Sequence, residues 1–325
     1  MKSFNLVIVA AFVLFSCNET GKKDTSYLPS SLGNINNLQV ITTNEMWNGN
    51  VGEAIRDILA APADGLPQEE PLYDINQMPP STYTGFARKY RIFLHLTKGA
   101  SAQFSIKEHP YAKPQTGVFI TAPTEEELIA LLKEHQKEIL TAFQASEISE
   151  NQRRIKISLK KDLDSLKQRL GVKLNIPSAY RTARATDEFF WIRKDLKSGS
   201  TNIIIYEVPL SMIGTDSSVV GNIIKIRDSI GSSYMPVEDE GLFITEEAYA
   251  PYLFTSEIDG KFAYETKGTW EVKDKYMAGP FLNYAIRDEA NNRYLILEGF
   301  TYAPSVAKRN LQFELEAILK SAKLE

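Results

Sequence analysis

Apolar and polar residues alternate in short runs along much of this chain, and in a few longer stretches the apolar period lengthens to that of a helix. The alternating runs predict strands at Leu38–Thr42, Tyr90–Leu96, Gln103–Lys107 and Val118–Thr121 in the first half. In the second half they predict strands at Lys173–Ile176, Phe189–Arg193, Asn202–Val208, Leu242–Thr245, Lys261–Thr266, Phe281–Arg287 and Arg293–Phe300. Asp288-Glu289-Ala290-Asn291-Asn292 joins the last two as a hairpin loop. Helical spacing predicts helices over Glu45–Ala60, ended by Pro62 and Gly65, over Val219–Ile230 and over Ser305–Ser321.

The charge-rich, Pro-free stretch Thr124–Leu170 opens with Thr124-Glu125-Glu126-Glu127, a capping-box pattern. Leu128, Leu131, Leu132, Ile139 and Phe143 form one stripe, and Ile155, Leu159, Leu163, Leu166 and Leu170 a second, stopped by Gly171. This predicts two helices broken near Ala145–Asn151, with the intervening charges on a solvated face. Long helices beside antiparallel-looking strands predict an α+β fold with mixed, mainly antiparallel sheets.

Two local echoes raise the expectation of a duplication. Val51-Gly52 followed by Ile55-Arg56-Asp57 recurs as Val220-Gly221 followed by Ile226-Arg227-Asp228, and Phe119–Pro123 recurs as Phe300–Pro304. The corresponding units would be two β-α-β-β-β-α repeats over 38–145 and 200–322, joined by 146–199.

The first residues follow another logic. Met1-Lys2 precedes a ten-residue apolar run, Leu6–Phe15, and then Ser16-Cys17. A membrane-crossing helix needs about 20 apolar residues, so the run reads as a cleaved export leader, residues 1–16, with Cys17 as the lipid-modified first residue. Leu14 and Ser16 suit a lipobox, while Phe15 is larger than the usual residue there. Residues 17–37 are expected to be the lipidated end and a flexible tether, and 38–322 the folded body. With Cys17 acylated, no cysteine remains for a disulfide.

Composition narrows the function classes. Hydrophobic residues make up 43% of the chain, enough for a sizeable core, and a net charge of -4 with interspersed cations argues against nucleic acid. His95, His109 and His135 lack metal-ligand spacing, so no metal site is expected. Gly231-Ser232-Ser233 and Gly199-Ser200 supply serines without a nucleophile elbow, and no P-loop or dinucleotide fingerprint occurs, so no cofactor is expected. Carboxylates are the open catalytic route. Glu238-Asp239-Glu240-Gly241 and the pair Asp162, Asp164 are close in sequence, but neighbours on a strand point to opposite faces.

Candidate binding residues cluster early: Trp47 and Asn48 at a helix start, Arg56, the loop pair Glu69-Glu70, and Arg88 and Arg91 around a strand start. Trp47 is read first as a core anchor and otherwise as an exposed platform. Arg56 with Glu69-Glu70 reads as an ion pair pinning the loop, or as a polar ligand site. The stretch Asn44–Arg56, the Leu66–Pro71 loop, Arg88–Arg91, the entry Leu28-Pro29-Ser30-Ser31-Leu32-Gly33 and the leader together resemble an uncharacterised lipoprotein family of Bacteroidota, a domain of unknown function. That resemblance implies an outer-membrane or periplasm-facing lipoprotein and carries no catalytic residues to transfer. Two functions follow as expectations. One is a lipid-anchored, non-enzymatic binding or accessory protein of the cell envelope with a protein or glycan partner; the other is an envelope hydrolase or glycan-acting enzyme using paired carboxylates among Glu69, Glu70, Asp239 and Glu240.

Overall fold

Leu38 and Val40 point one way from the first strand and Gln39 and Ile41 the other, and all four are buried. A strand covered on both faces suits the interior of a parallel sheet. The structure, a computed structural model, describes residues 27–235, 237 and 241–325. Strand β1 (Asn37–Ile41) is followed by helices α1 (Asn44–Asn48) and α2 (Asn50–Leu59), then β2 (Asp74–Met78), β3 (Ile92–Lys98), β4 (Gln103–Glu108) and β5 (Thr116–Ala122). They form a five-stranded sheet in the order β2-β1-β3-β5-β4, parallel except for β4. Helices α3 (Glu125–Glu134) and α4 (Gln136–Ile155) close its core, in which Leu128, Leu132, Ile139 and Phe143 pack on Leu94, Val118 and Ile120. Thr124 Oγ1 accepts from Glu127 N at 3.2 Å, as the capping pattern predicts.

After α4 come α5 (Asp164–Leu170), β6 (Val172–Lys173), β7 (Arg181–Ala185), β8 (Phe189–Leu196), β9 (Gly199–Pro209) and α6 (Val219–Tyr234). Strands β10 (Phe243–Thr245), β11 (Tyr252–Ile258), β12 (Lys261–Val272), β13 (Ala278–Asp288) and β14 (Arg293–Tyr302) lead to α7 (Arg309–Leu319) and β15 (Lys323–Leu324). The large sheet runs β10-β12-β13-β14-β9-β8-β7, with β11 also on β12, and every pairing in it is antiparallel. One face packs Leu282, Tyr284, Leu295 and Leu297 under α7 and α5; the other packs Tyr206, Phe281 and Ile296 under α6. The molecule is thus α+β, with long helices on mainly antiparallel sheet.

Several expectations need correction. α4 continues through Ala145–Asn151, and the chain leaves the helix only at Lys156–Leu163. Its apolar stripe lapses there because Glu147, Glu150 and Asn151 are themselves buried, so these charges are not a solvated face. The expected helix Glu45–Ala60 is two, divided at Gly49. The expected tether to residue 37 is too long: Ser30 and Leu32 form bridges with Lys113 and Tyr90, and the Gly33 and Asn34 carbonyls accept from Arg91. β2, β7 and β11 were not predicted; Asp259-Gly260, both at positive φ, is the two-residue turn signal that marks the β11–β12 hairpin.

The echoed segments also differ in their surroundings. β1 pairs in parallel with both neighbours, whereas β9 pairs antiparallel with both of its own. A Cβ on Gly52 would lie 1.8 Å from the Trp47 carbonyl oxygen, while one on Gly221 meets nothing within 4 Å. Gly52→Ala is therefore expected to cost about 1–3 kcal/mol by overpacking, and Gly221→Ala to stabilise by about 0.5–1 kcal/mol by removing glycine from a helix. Equilibrium denaturation of both variants checks this; equal effects would restore the case for equivalent repeats.

Candidate functional site

The residues singled out in the sequence go to separate places. Cys17, Asp239 and Glu240 lie outside the described residues. Trp47 is half-buried against the first core, and its ring and carbonyl both engage Arg56: the guanidinium sits 4.8 Å from the ring centroid, and Nη1 donates to the Trp47 oxygen at 3.3 Å. Arg56 is thus held by Trp47 rather than by the Glu69-Glu70 pair, while Asn48 and Glu69 are exposed. Glu70 instead caps α7, accepting from Lys308 N at 2.6 Å and Arg309 N at 2.9 Å. Arg88 donates to the Tyr83 carbonyl and lies over Tyr111, and Arg91 is buried on Glu147. These seven side chains do not converge on one site.

A different group does converge. Strand parity puts Trp191 and Arg193 of β8, Ser200 and Asn202 of β9, Trp270 and Val272 of β12, and Phe300 and Tyr302 of β14 on one face of the large sheet, beyond the end of α6. Met235, Val237 and Phe243 close the other side, leaving a cup of about 690 Å³. The floor is aromatic: Phe243 stacks on Trp270 at 4.8 Å between centroids and leans on Phe300 at 5.0 Å. Gly279, across the ladder from Trp270, makes room for it, because a Cβ there would lie 3.1 Å from the indole nitrogen. Gly199, at φ +141°, opens β9 where a Cβ would meet the Tyr302 carbonyl at 1.9 Å.

Lys275 lines the cup from the β12–β13 turn, and the other polar groups sit at the β8–β9 wall. Trp191 Nε1 donates to Asn202 Oδ1 at 3.0 Å and Asn202 Nδ2 donates to Ser200 Oγ at 3.0 Å, which fixes the amide orientation. Arg193 donates to Asp195 at 2.7 Å and stands at the rim. Behind the floor, Arg227 from α6 donates to Glu298 at 2.9 Å and to Thr245 at 2.8 Å, with its guanidinium 3.7 Å from the Phe281 centroid. This buried network holds α6 and β10 on the sheet and so sets the cup's depth. Among the described residues, the cup lining has no carboxylate or imidazole, and no three His, Cys, Asp or Glu side chains are placed to hold a metal ion. The arrangement can bind a ligand with an apolar face and hydrogen-bond its edge.

None of these cup residues was singled out from the sequence as a binding residue. The readable signal was the shared parity of Phe189, Trp191 and Arg193 on one strand and of Trp270 and Val272 on another; the sequence alone does not align the two strands.

Residues 158–321 match the family described as a domain of unknown function (DUF4837), a match that spans half of the chain. The chain belongs to this family. Residues 31–156 match a second domain of unknown function (DUF8532). The two matches meet at the end of α4, and the cup lies wholly within the DUF4837 match. No curated protein matches the chain. Two solved structures are similar to part of it. One is cyanobacterial PsbP (CyanoP) from Synechocystis, at 12% identity and a TM-score of 0.34, covering 52% of this chain and 93% of that one. The other is the Saccharomyces cerevisiae Ran-binding protein Mog1p, at 8% identity and a TM-score of 0.32, covering 47% and 90%.

Proposed function

We propose that this DUF4837 protein is a lipid-anchored, non-enzymatic binding protein of the bacterial cell envelope, of the Bacteroidota lipoprotein kind, which holds its ligand in the aromatic cup. The cup carries the reading. Its volume of about 690 Å³ lies inside the roughly 300–1,000 Å³ of small-molecule sites. Its lining joins Trp191, Trp270, Phe300 and Tyr302 to the neutral Asn202–Ser200 edge, which suits a flat apolar ligand with a polar rim. Attachment rests on Cys17 after the leader. No described helix is long and apolar enough to cross a membrane, so in this reading the lipid alone holds the protein at its surface.

Two measurements test the two parts. Cys17→Ala should move the protein from the membrane to the soluble fraction, and loss of the acyl mass should accompany it; membrane retention of that variant would remove the anchor. For the cup, 1-anilinonaphthalene-8-sulfonate titrated onto the mature chain should bind saturably and quench tryptophan emission. Trp191 and Trp270 are two of only three tryptophans, so Trp47→Phe should keep the signal. Trp191→Ala should weaken binding at least about tenfold, the loss of roughly 1.4 kcal/mol of aromatic contact. Unchanged affinity in that variant would refute the cup.

A further inference from the structure

Charge is spread unevenly along this chain. Lys and Arg number 37 against 41 Asp and Glu overall, yet residues 75–124 carry six cations and a single acid, Glu108. Two of the six are matched by carboxylates, Arg91 by Glu147 and Lys98 by Glu125. Arg88, Lys89, Lys107 and Lys113 have no carboxylate partner among the described residues.

The fold gathers these four on one side of the first domain. The Arg88 guanidinium lies 5.1 Å from the Tyr111 centroid and the Lys107 ammonium 4.9 Å from that of Phe119, and both rings pack on Phe93, at 5.9 and 5.4 Å. Lys89 ends the short helical turn Gly85–Lys89 and lies 5.9 Å from the ring of Phe86, which is 69% exposed. The entry segment runs between Lys89 and Lys113: Lys113 N donates to the Pro29 carbonyl at 2.9 Å, and Leu32 N to the Lys89 carbonyl at 2.8 Å. Buried Gln115 ties the two loops together, donating to the Arg88 and Tyr90 carbonyls at 2.7 Å each and accepting from Tyr111 N and Ala112 N. An exposed phenylalanine beside unmatched cations is thus presented on a fixed support.

The position of the entry segment decides what this side can meet. Tyr27, 91% exposed, stands ten residues from Cys17, a covalent reach of at most about 33–36 Å. A body of about 300 residues has a radius of gyration of about 19 Å. A lipid on Cys17 therefore lets only the half of the surface around Tyr27 come to the bilayer, and the unmatched cations lie in that half.

We propose that this side is the face that rests on the membrane, with Phe86 entering the headgroup region and Arg88, Lys89, Lys107 and Lys113 meeting the phosphates of anionic lipids. The proposal rests on the Cys17 anchor for its reach. The acyl chain supplies attachment and the face supplies orientation. An anionic surface attracts each nearby cation, and an apolar side chain among basic ones is the pattern of a surface that lies on lipid. The face needs only modest affinity, because the tether keeps it at high effective concentration. Its own hold is too weak to keep an unacylated chain on membranes through dilution and washing.

The test places the acylated chain on vesicles of phosphatidylethanolamine and phosphatidylglycerol with a nitrobenzoxadiazole dye on one introduced cysteine, since acylation consumes the Cys17 thiol. On Thr84→Cys, an exposed position beside Phe86, the dye should shift to the blue and be quenched by spin-labelled lipid. On Lys225→Cys, exposed on α6 and across the large sheet from α7 and the first domain, it should do neither. Cys17→Ala, titrated with the same vesicles at low salt, should bind reversibly, lose at least about tenfold at high salt and ignore phosphatidylcholine vesicles. In that background Lys89→Gln with Lys113→Gln should weaken binding about 25-fold, about fivefold for each charge, and Phe86→Ser about tenfold. Lys197→Gln with Lys225→Gln removes the same charge from exposed positions of the second domain and should leave the affinity unchanged. Equal dye signals at the two positions, equal binding to phosphatidylcholine, an equal loss in the control pair, or displacement by millimolar inorganic phosphate would each overturn the proposal. Acylation is read separately by mass, so an acylated chain whose position 84 stays in water rejects the face and leaves the anchor standing.

Discussion

Arg91→Ala is expected to destabilise the protein by about 3–5 kcal/mol, the usual cost of leaving a buried charge without its partner. Arg91 is 2% exposed and lies in the first domain, where its guanidinium bonds both Glu147 oxygens, at 2.6 and 2.9 Å. It also holds the Gly33 and Asn34 carbonyls at 3.2 and 2.8 Å and approaches Glu150 at 3.8 Å. One residue thereby ties the entry segment, the start of β3 and the middle of α4. The paired variant Arg91→Met with Glu147→Leu should recover much of the loss, since the penalty comes from the orphaned charge rather than from a strongly favourable bridge. Urea denaturation of the wild type, the single and the double variant decides it; a double variant as unstable as the single would show that the carbonyl contacts, with the buried Asn36 N–H that donates to Glu147 at 2.6 Å, carry the energy.

The same cluster sets a pH dependence. Burial alone would raise the Glu150 carboxyl, yet hydrogen bonds from Arg153 and Arg154 and the charge of Arg91 bring it from 4.5 down to about 2. Its folded value is depressed, so its contribution is present above about pH 4.5 and is lost as pH falls toward 2. Removing Arg91 lifts the folded value and should make the loss across that window shallower. Denaturation curves between pH 5 and pH 2 read this directly, and an unchanged slope would assign the shift to Arg153 and Arg154 alone.

Arg227→Met is the second large effect, also about 3–5 kcal/mol, because Glu298 is 0% exposed and would keep only the Asn283 amide, at 2.9 Å. Arg227→Lys should not rescue it fully. A lysine cannot both reach Glu298 and Thr245 with fixed planar donors and lie flat on Phe281. Since the guanidinium is also packed 5.3 Å from the Phe243 centroid, both variants should weaken anilinonaphthalene binding in the cup. Thermal unfolding and the fluorescence titration together test this; lost stability with intact cup affinity would show that Arg227 supports the core without shaping the site.

Much of the fold was legible because its signals are local. Thr124 caps α3 and Gly171, at φ +61°, ends α5, each through chemistry confined to one turn. The loop 288–292 joins β13 and β14 as its turn residues predict. The helix break assigned to Ala145–Asn151 failed for an equally physical reason. A polar residue in a helix looks solvent-facing until its partner is known, and the partner of Glu147 is 56 residues away at Arg91. Glu70 was misread in the same way, since its ligands are the backbone amides of Lys308 and Arg309, far along the chain.

The sequence by itself determined the α+β class and much of the strand and hairpin spacing, because alternation, helical period and turn chemistry act over a few residues. Only the tertiary structure decided which strands lie side by side, and hence that Trp191, Asn202, Trp270 and Tyr302 share a face. It alone also showed which charges turn inward to bind one another. Register and burial are set by contacts between distant segments, and no short window of sequence contains both partners of such a contact.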